Sequence, residues 1–224
     1  MFEIEIKTLL GSKERADELK RRLVQLFPAM KMLPSHKQRN HYFNTPKDIG
    51  VIEHVIGPLL SAEKRRELSK IIKDARGGIS IRTRDADGKA LFIIKASIGD
   101  DSSANGVSRI EFEEPIALSF EALDQKLLDA GLTYQAKWSR ERDHYDLGSI
   151  HITVDKNAGY GYLAEFEKMI DDGREAEYAR QELKALMAEL HCTELAQDRL
   201  ERMFAHYNTH WEEYYGTEKV FVVE

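Results

Sequence analysis

The chain has 224 residues, of which 42% are hydrophobic and 32% are charged, with 33 basic residues against 39 acidic ones. That apolar content excludes a globally disordered chain, and the length indicates one large domain or one domain with extensions. The formal net charge of −6 argues against nucleic acid as a partner, because neutralising phosphates needs a basic face.

Motifs exclude several further classes. The single cysteine, Cys192, rules out an intrachain disulfide or a CxxC pair, and it is expected to be a small buried apolar residue. The acidic start and the absence of a long apolar run predict a cytoplasmic protein without a signal peptide or membrane span. No phosphate loop, dinucleotide fingerprint or nucleophile elbow is found, and the eight scattered histidines show no ligand spacing.

In the first part of the chain, charged and apolar side chains alternate over residues 2–7, which predicts a strand. Ser12 is placed to cap a helix that ends at Phe27. A second strand is predicted over residues 39–44. One or two helices, inserted between strands, are predicted over residues 47–76.

Strands dominate the next part of the chain. They are predicted over residues 79–85, 90–96, 107–114, 138–146, 150–155 and 160–169. Asp87-Gly88 is a good hairpin turn, and residues 100–106 read as a polar loop. A helix is predicted from Ser119 to Gly131. The remaining elements are a helical region over 175–207 with a break near Thr193, and a short edge strand over 220–223.

The predicted strands place their charges on one face, with apolar side chains on the other. A solvated face is the usual explanation of such a pattern. However, like charges recur at i and i+2, about 7 Å apart, where they repel by roughly 2.4 kcal/mol at an effective dielectric of 20. That cost is reasonable when ions or counter-charges lie opposite. The predicted helices have apolar stripes that need a sheet face to cover. If they cover the apolar face, the charged face turns inward, so we expect an α+β fold whose sheet closes into a barrel with the charges inside.

The predicted lumen would hold both signs of charge. Its acids are Glu3, Glu5, Glu111, Glu113, Asp155, Glu165 and Glu167. Six or seven bases accompany them: Lys7, Arg82, Arg84, Lys95, Arg140 and Arg142, with Arg109 as the seventh. Arginine and lysine side chains match phosphate oxygens. Clustered carboxylates suit Mg²⁺ or Mn²⁺. Together they describe a site for a polyphosphate and its metal.

These blocks resemble, in order, the motifs of the CYTH superfamily, the triphosphate tunnel metalloenzymes. Glu3-Ile4-Glu5-Ile6-Lys7 matches its ExExK signature, and Tyr42-Phe43-Asn44-Thr45-Pro46 resembles its YFDTP, with Asn44 where Asp is common. Further matches are Arg82-Thr83-Arg84, Lys95, Glu111-Phe112-Glu113, Arg140 to Tyr145, Asp155 and Glu165-Phe166-Glu167. The resemblance covers roughly residues 1–170 and implies an eight-stranded antiparallel tunnel. We accordingly expect a single domain over 1–224, with a helical insertion at 47–76 and a C-terminal helical extension at 171–224.

The resemblance also implies roles. Phosphate binding is assigned to Lys7, Arg82, Arg84, Lys95, Arg140 and Arg142, and metal binding to Glu3, Glu5, Asp155, Glu165 and Glu167. Lys7, Glu3 and Glu5 are the implied catalytic residues, and Glu111, Glu113 and Arg109 support them. In relatives a C-terminal helix can lend a basic residue to one tunnel end. Arg199 and Arg202 are candidates, although exposed helix arginines are commoner.

Three reactions stay open at this point. Metal-dependent hydrolysis of a triphosphate-containing small molecule is favoured, because it needs only phosphate recognition. A class IV adenylyl cyclase, which converts ATP to cyclic AMP and pyrophosphate, would use the same core motifs. A non-catalytic polyphosphate- or nucleotide-binding module is disfavoured by the near-complete acidic set. Self-association as a homodimer is also left open.

Overall fold

The computed structural model describes residues 2–75, 78–97 and 109–223, so the predicted loop at 100–106 lies outside the described residues. Its strands are β1 Phe2–Gly11, β2 Lys31–Phe43, β3 Ile79–Ala86, β4 Lys89–Ser97, β5 Arg109–Pro115, β6 Tyr134–Asp146, β7 Ile150–Asn157 and β8 Gly161–Ile170. Its α-helices are α1 Lys13–Leu26, α2 Gly50–Ile56, α3 Ala62–Asp74, α4 Phe120–Asp129, α5 Ala176–Glu189 and α6 Gln197–Tyr214. Short 3-10 helices cover Gly57–Leu59 and Gly173–Glu175.

The strands form one eight-stranded sheet in the order β1-β8-β7-β6-β2-β3-β4-β5. Its pairs β1–β8, β7–β8, β6–β7, β2–β3, β3–β4 and β4–β5 are antiparallel. The predicted α+β class and the antiparallel sheet are therefore confirmed. Strands β1 and β5 end the order, and no pairing between them occurs in the described part of the chain, so closure into a barrel stays a prediction.

The chain divides into two compact units. The first comprises Met1–Lys37 and Ser139–Glu224, and the second comprises Gln38–Trp138. Each unit has its own buried apolar cluster. The two units are therefore described separately.

In the first unit, helices α1 and α5 pack on the apolar face of β1 and β8. Ser12 caps α1 as predicted, since its hydroxyl accepts a hydrogen bond from the backbone N–H of Arg15. Gly161 marks a close approach of β8 to β1: a Cβ there would lie 2.2 Å from the backbone oxygen of Gly11. Its φ of +72° also favours glycine.

The second unit has the same design, with helices covering the apolar face of a sheet. Helix α4 packs on β3 and β4, and α3 packs on β5. Ile81, Phe92 and Phe112 are at the centre of its core. Asp87 and Gly88, with φ of +51° and +85°, form the turn between β3 and β4, which confirms the predicted hairpin.

The C-terminal region is helical, with the predicted break lying between α5 and α6. The tail makes an isolated bridge from Val220 to Gly159 instead of the expected short strand. Tyr160 packs against Tyr207 and Phe221, with ring centroids 5.2 and 5.1 Å apart. None of the described helices combines the length and apolar character needed to cross a membrane.

Candidate functional site

Three carboxylates of the first unit come together: Glu3, Glu5 and Glu167. Glu5 faces Glu167 across the β1–β8 pairing, and Glu3 lies two residues earlier on β1. One oxygen from each of the three carboxylates lies within 4.8 Å of the others. Burial, together with the charges of Glu165 and Glu3, raises the pKa of Glu167 above its ordinary value. An all-oxygen set under mutual repulsion fits a hard divalent cation such as Mg²⁺ or Mn²⁺.

Lys7 links this carboxylate cluster to a network of half-buried ion pairs. Its Nζ contacts Glu5 and lies 3.0 Å from Oε1 of Glu165. Although burial raises the pKa of Glu165, the charges of Lys7 and Arg142 outweigh it, and the net shift is downward. Glu165 is thus held as a carboxylate between two cations.

The arginines of β6 are fixed by Asp155, which is only 3% exposed. Arg142 donates to both oxygens of Asp155, from Nε at 2.7 Å and from Nη2 at 2.6 Å. Nη2 also donates to Glu165, and Arg140 reaches Asp155 at 3.3 Å. Such bidentate, charge-assisted bonds fix the plane of a guanidinium group. The structure thus places Asp155 and Glu165 beside arginines, and their predicted role as metal ligands stays a prediction.

The second unit carries its own cationic cluster on β3 and β4. Arg82 donates to Tyr42 at 3.1 Å and to Glu111 at 3.3 Å. Lys95 lies 3.0 Å from Glu111. In the described part of the chain, Nε of Arg82 is buried without a hydrogen-bond partner, which leaves donor capacity on this side chain.

Arg84 is held in a similar way. Its Nε donates to Asn40 at 2.9 Å, and its Nη1 donates to Glu113 at 3.2 Å. Glu111 and Glu113 therefore contact the basic side chains, and their supporting role in the site stays a prediction. The backbone of Arg109 begins β5, but its side chain lies outside the described residues.

Two partners of the arginines were missed by the sequence analysis. Asn40 and Tyr42 were not assigned a role, although they face Arg84 and Arg82 across the β2–β3 pairing. Their i, i+2 spacing beside a charged strand was the available signal. Asn44, which replaces the common Asp, donates to Thr133 and to the backbone oxygen of Tyr134. Arg199 bonds the backbone oxygen of Val223.

The opposite face of β2 and β3 carries a buried polar network. Asp124 of α4 accepts hydrogen bonds from Thr83 at 2.5 Å and from Tyr134 at 2.7 Å. Its other partner is Nδ1 of His41, also at 2.5 Å. Burial raises the pKa of Asp124, but these bonds outweigh it and lower the pKa overall. These bonds connect α4 to β2 and β3, and Arg82 and Arg84 lie on the other face of β3.

The architecture is an antiparallel sheet with charged strand faces and with helices on its apolar face, and known proteins share it. The family model described as "CYTH domain" matches residues 1–199, so the chain belongs to the CYTH domain family. This confirms the resemblance drawn from the motifs. None of the curated proteins searched matches the chain.

Solved structures share the fold. A protein from Pyrococcus horikoshii OT3 superposes with a TM-score of 0.56 at 16% identity, covering 92% of this chain and 99% of that one. A Vibrio parahaemolyticus protein named as a candidate adenylate cyclase has a TM-score of 0.55 at 18% identity, with coverages of 92% and 98%. A Pyrococcus furiosus protein gives 0.53 at 18% identity, with coverages of 88% and 93%. At these identities the likeness establishes the fold alone.

Proposed function

We propose that the protein is a divalent-metal-dependent hydrolase of a triphosphate, either inorganic tripolyphosphate or an organic or nucleoside triphosphate. The observation that carries this proposal is the carboxylate cluster of Glu3, Glu5 and Glu167, which Lys7 connects through Glu165 to the half-buried Arg142. Membership of the CYTH domain family supports it. Carboxylates for a cation and basic groups for phosphate oxygens are the two requirements of phosphoryl transfer.

Glu3, Glu5 and Glu167 would hold the Mg²⁺ or Mn²⁺ ion. When bound, such an ion neutralises phosphate charge and lowers the pKa of a coordinated water. Burying an acid beside other acids costs free energy in the protein alone, and the pKa of Glu167 is raised by burial and by the charges of Glu165 and Glu3. A bound cation relieves that cost, which supports metal binding as the purpose of the cluster.

Lys7 and Arg142 would bind phosphate oxygens close to that ion. Lys7 bridges Glu5 of the cluster and Glu165, so a phosphate held by its Nζ would lie beside the carboxylates. Asp155 and Glu165 engage the Nε and Nη2 groups of Arg142. Its Nη1 group makes none of these bonds and would donate to the substrate. Because the guanidinium is held in advance, little side-chain entropy is lost on binding.

In the second unit, Arg82, Arg84 and Lys95 are proposed as further phosphate ligands. Tyr42, Asn40, Glu111 and Glu113 orient them through the contacts described above. The carboxylates compensate the positive charge before a ligand binds. A phosphate, which carries more charge than a carboxylate, would compete for the same donors.

One assay separates the reactions. The protein is incubated with Mg²⁺ or Mn²⁺ and tripolyphosphate, thiamine triphosphate or ATP, and the products are resolved by ion-exchange chromatography. We expect orthophosphate. Cyclic AMP with pyrophosphate would identify an adenylyl cyclase instead, and binding without turnover would identify a non-catalytic module. Either of these results would overturn the proposal.

Variants test the assigned residues. Lys7→Ala and Arg84→Ala should each abolish turnover while the circular dichroism spectrum stays that of the parent protein. The matched control is Lys13→Ala, since Lys13 is exposed on α1 and pairs with Asp17 outside both clusters. Kinetics of Lys7→Ala equal to those of the control would contradict the proposed site.

A further inference from the structure

Two buried hydrogen-bond donors on the charged face of β2 and β3 have no acceptor. They are Nδ2 of Asn40 and Nε of Arg82, and within the described ranges neither makes a hydrogen bond. Buried polar atoms of native proteins are almost always paired, so each exception calls for an explanation such as an ion or a water. Asn40 is 0% exposed, so bulk solvent does not supply its acceptor. The two exceptions therefore indicate an acceptor that comes from outside the protein.

The orientation of the Asn40 amide is set by Arg84. Nε of Arg84 donates to Oδ1 of Asn40 at 2.9 Å. A side-chain amide has one acceptor atom and one donor group, so exchanging the two would set the N–H of Arg84 against another donor. Nδ2 of Asn40 is therefore a donor, and the atom that it lacks is an acceptor.

The guanidinium group of Arg82 is held in a comparable way. Its Nη1 donates to Tyr42 at 3.1 Å and its Nη2 donates to Glu111 at 3.3 Å, while the N–H of Nε stays unused. Asn40 faces Arg84 directly across the β2–β3 pairing, so Asn40 and Arg82 are diagonal neighbours on one face of the sheet. Such neighbours lie about 7–8 Å apart, within reach of long side chains. The two unused donors therefore belong to one patch of the surface.

The charges around this patch favour an anion over water as the acceptor. Arg82 and Arg84 are cations, and the side chains of their partners Glu111 and Glu113 are 40% and 38% exposed. These carboxylates lie at the boundary with solvent, where a phosphate can displace them from the guanidinium groups. The phosphate oxygens then come beside Asn40, where the exclusion of water strengthens a hydrogen bond.

We propose that Asn40 is a phosphate ligand, so that its Nδ2 and Nε of Arg82 donate to the oxygens of one phosphate group of the substrate. This inference rests on the proposed function, since it adds a ligand to the triphosphate site of the second unit. Asn40 then has two roles: Oδ1 orients Arg84, and Nδ2 contacts the substrate. Hydrogen bonds to a charged acceptor are roughly twice as strong as bonds between neutral groups, so the amide contributes to affinity without adding positive charge.

The variant Asn40→Asp separates the two roles. Aspartate keeps an oxygen that accepts from Arg84, but it has no donor in place of Nδ2. The probe is diimidotriphosphate, whose P–N–P bridges resist hydrolysis, and its dissociation constant is measured by calorimetry with Mg²⁺ present. We expect that constant to rise about tenfold or more relative to Asn44→Asp, which adds the same charge at an exposed position just after β2. Equal constants for the two variants would overturn the proposal.

A measurement on the unaltered protein covers the case in which Asn40→Asp does not fold, and it separates the loss of a donor from the added charge. ¹H–¹⁵N spectra report Nδ2 of Asn40 and Nε of Arg82 as diimidotriphosphate is added with Mg²⁺. Both resonances should shift together and reach their final positions at one equivalent. If Nε of Arg142 shifts while these two stay in place, the anion binds elsewhere and water satisfies both donors. The proposed function would then stand and the role of Asn40 would be wrong. A protein that neither binds this probe nor hydrolyses tripolyphosphate would refute both.

Discussion

Glu167→Gln is expected to stabilise the metal-free protein and to remove its stabilisation by Mg²⁺. The three clustered carboxylates approach within 4.8 Å of one another, and two unit charges at that distance repel by about 3.5 kcal/mol at an effective dielectric of 20. Exposure of Glu3 and the contact of Lys7 with Glu5 reduce the repulsion. We expect a net gain of about 1–2 kcal/mol on removing the charge of Glu167.

The sign follows from the pKa of Glu167, which is higher in the folded protein than its ordinary value. The unfolded chain therefore loses this proton at a lower pH than the folded protein does. As the pH rises above the ordinary pKa, the ionised group increasingly destabilises the fold, and the full penalty is present above the folded pKa. Glutamine carries no such charge at neutral pH, so the substitution removes the penalty.

Thermal unfolding at neutral pH measures both effects. With a chelator present, Tm of Glu167→Gln should exceed that of the parent protein by roughly 2–8 °C, the shift that 1–2 kcal/mol produces in a chain of this size. With excess Mg²⁺, Tm of the parent protein should rise and that of the variant should not. Glu212→Gln, at an exposed position of α6, is the control. A variant less stable than its parent in chelator, or an equal response to Mg²⁺, would refute the reasoning.

Three further substitutions test the packing around the clusters. Arg142→Met should lower the free energy of unfolding, measured with urea, by about 3–5 kcal/mol, because it leaves buried Asp155 without its bidentate partner. A decrease of less than about 1 kcal/mol would contradict this. Asp124→Asn should lower the free energy of unfolding at neutral pH, and the difference in this free energy from the parent protein should shrink as the pH falls through the lowered pKa of Asp124. A difference that does not change with pH would argue against an ionised Asp124. Gly161→Ala should lower Tm more than Gly148→Ala, since both have positive φ but only Gly161 meets a backbone atom; equal shifts would exclude the clash.

Sequence alone predicted most elements, because alternation and caps are local signals. The strand at residues 2–7, the cap at Ser12 and the turn at Asp87 show this directly. The first half of β2 was missed, since residues 31–38 are mostly exposed and contain a proline and several polar residues. Its side-chain bonds are to β6, from Ser35 to Asp143 and from Lys37 to Glu141. The pairing of β2 with β6, which is far away in the sequence, produces no periodic pattern in residues 31–38.

The composition of the candidate site was predictable, but the contacts within it were not. Alternation identifies which charged residues share a face, while the register between strands decides which of them meet. Glu167 joins Glu5 because β8 pairs with β1, and Glu165, two residues away, is drawn to Lys7 and Arg142.

The state of Cys192 makes the chain a convenient host for site-specific probes. This thiol is 7% exposed, and burial raises its pKa to about 11, so at neutral pH it is a poor nucleophile. A cysteine placed at Tyr178, whose side chain is 71% exposed on α5, would react far faster with maleimide reagents. Spin labels or fluorophores could then be attached at chosen positions without first removing the native thiol.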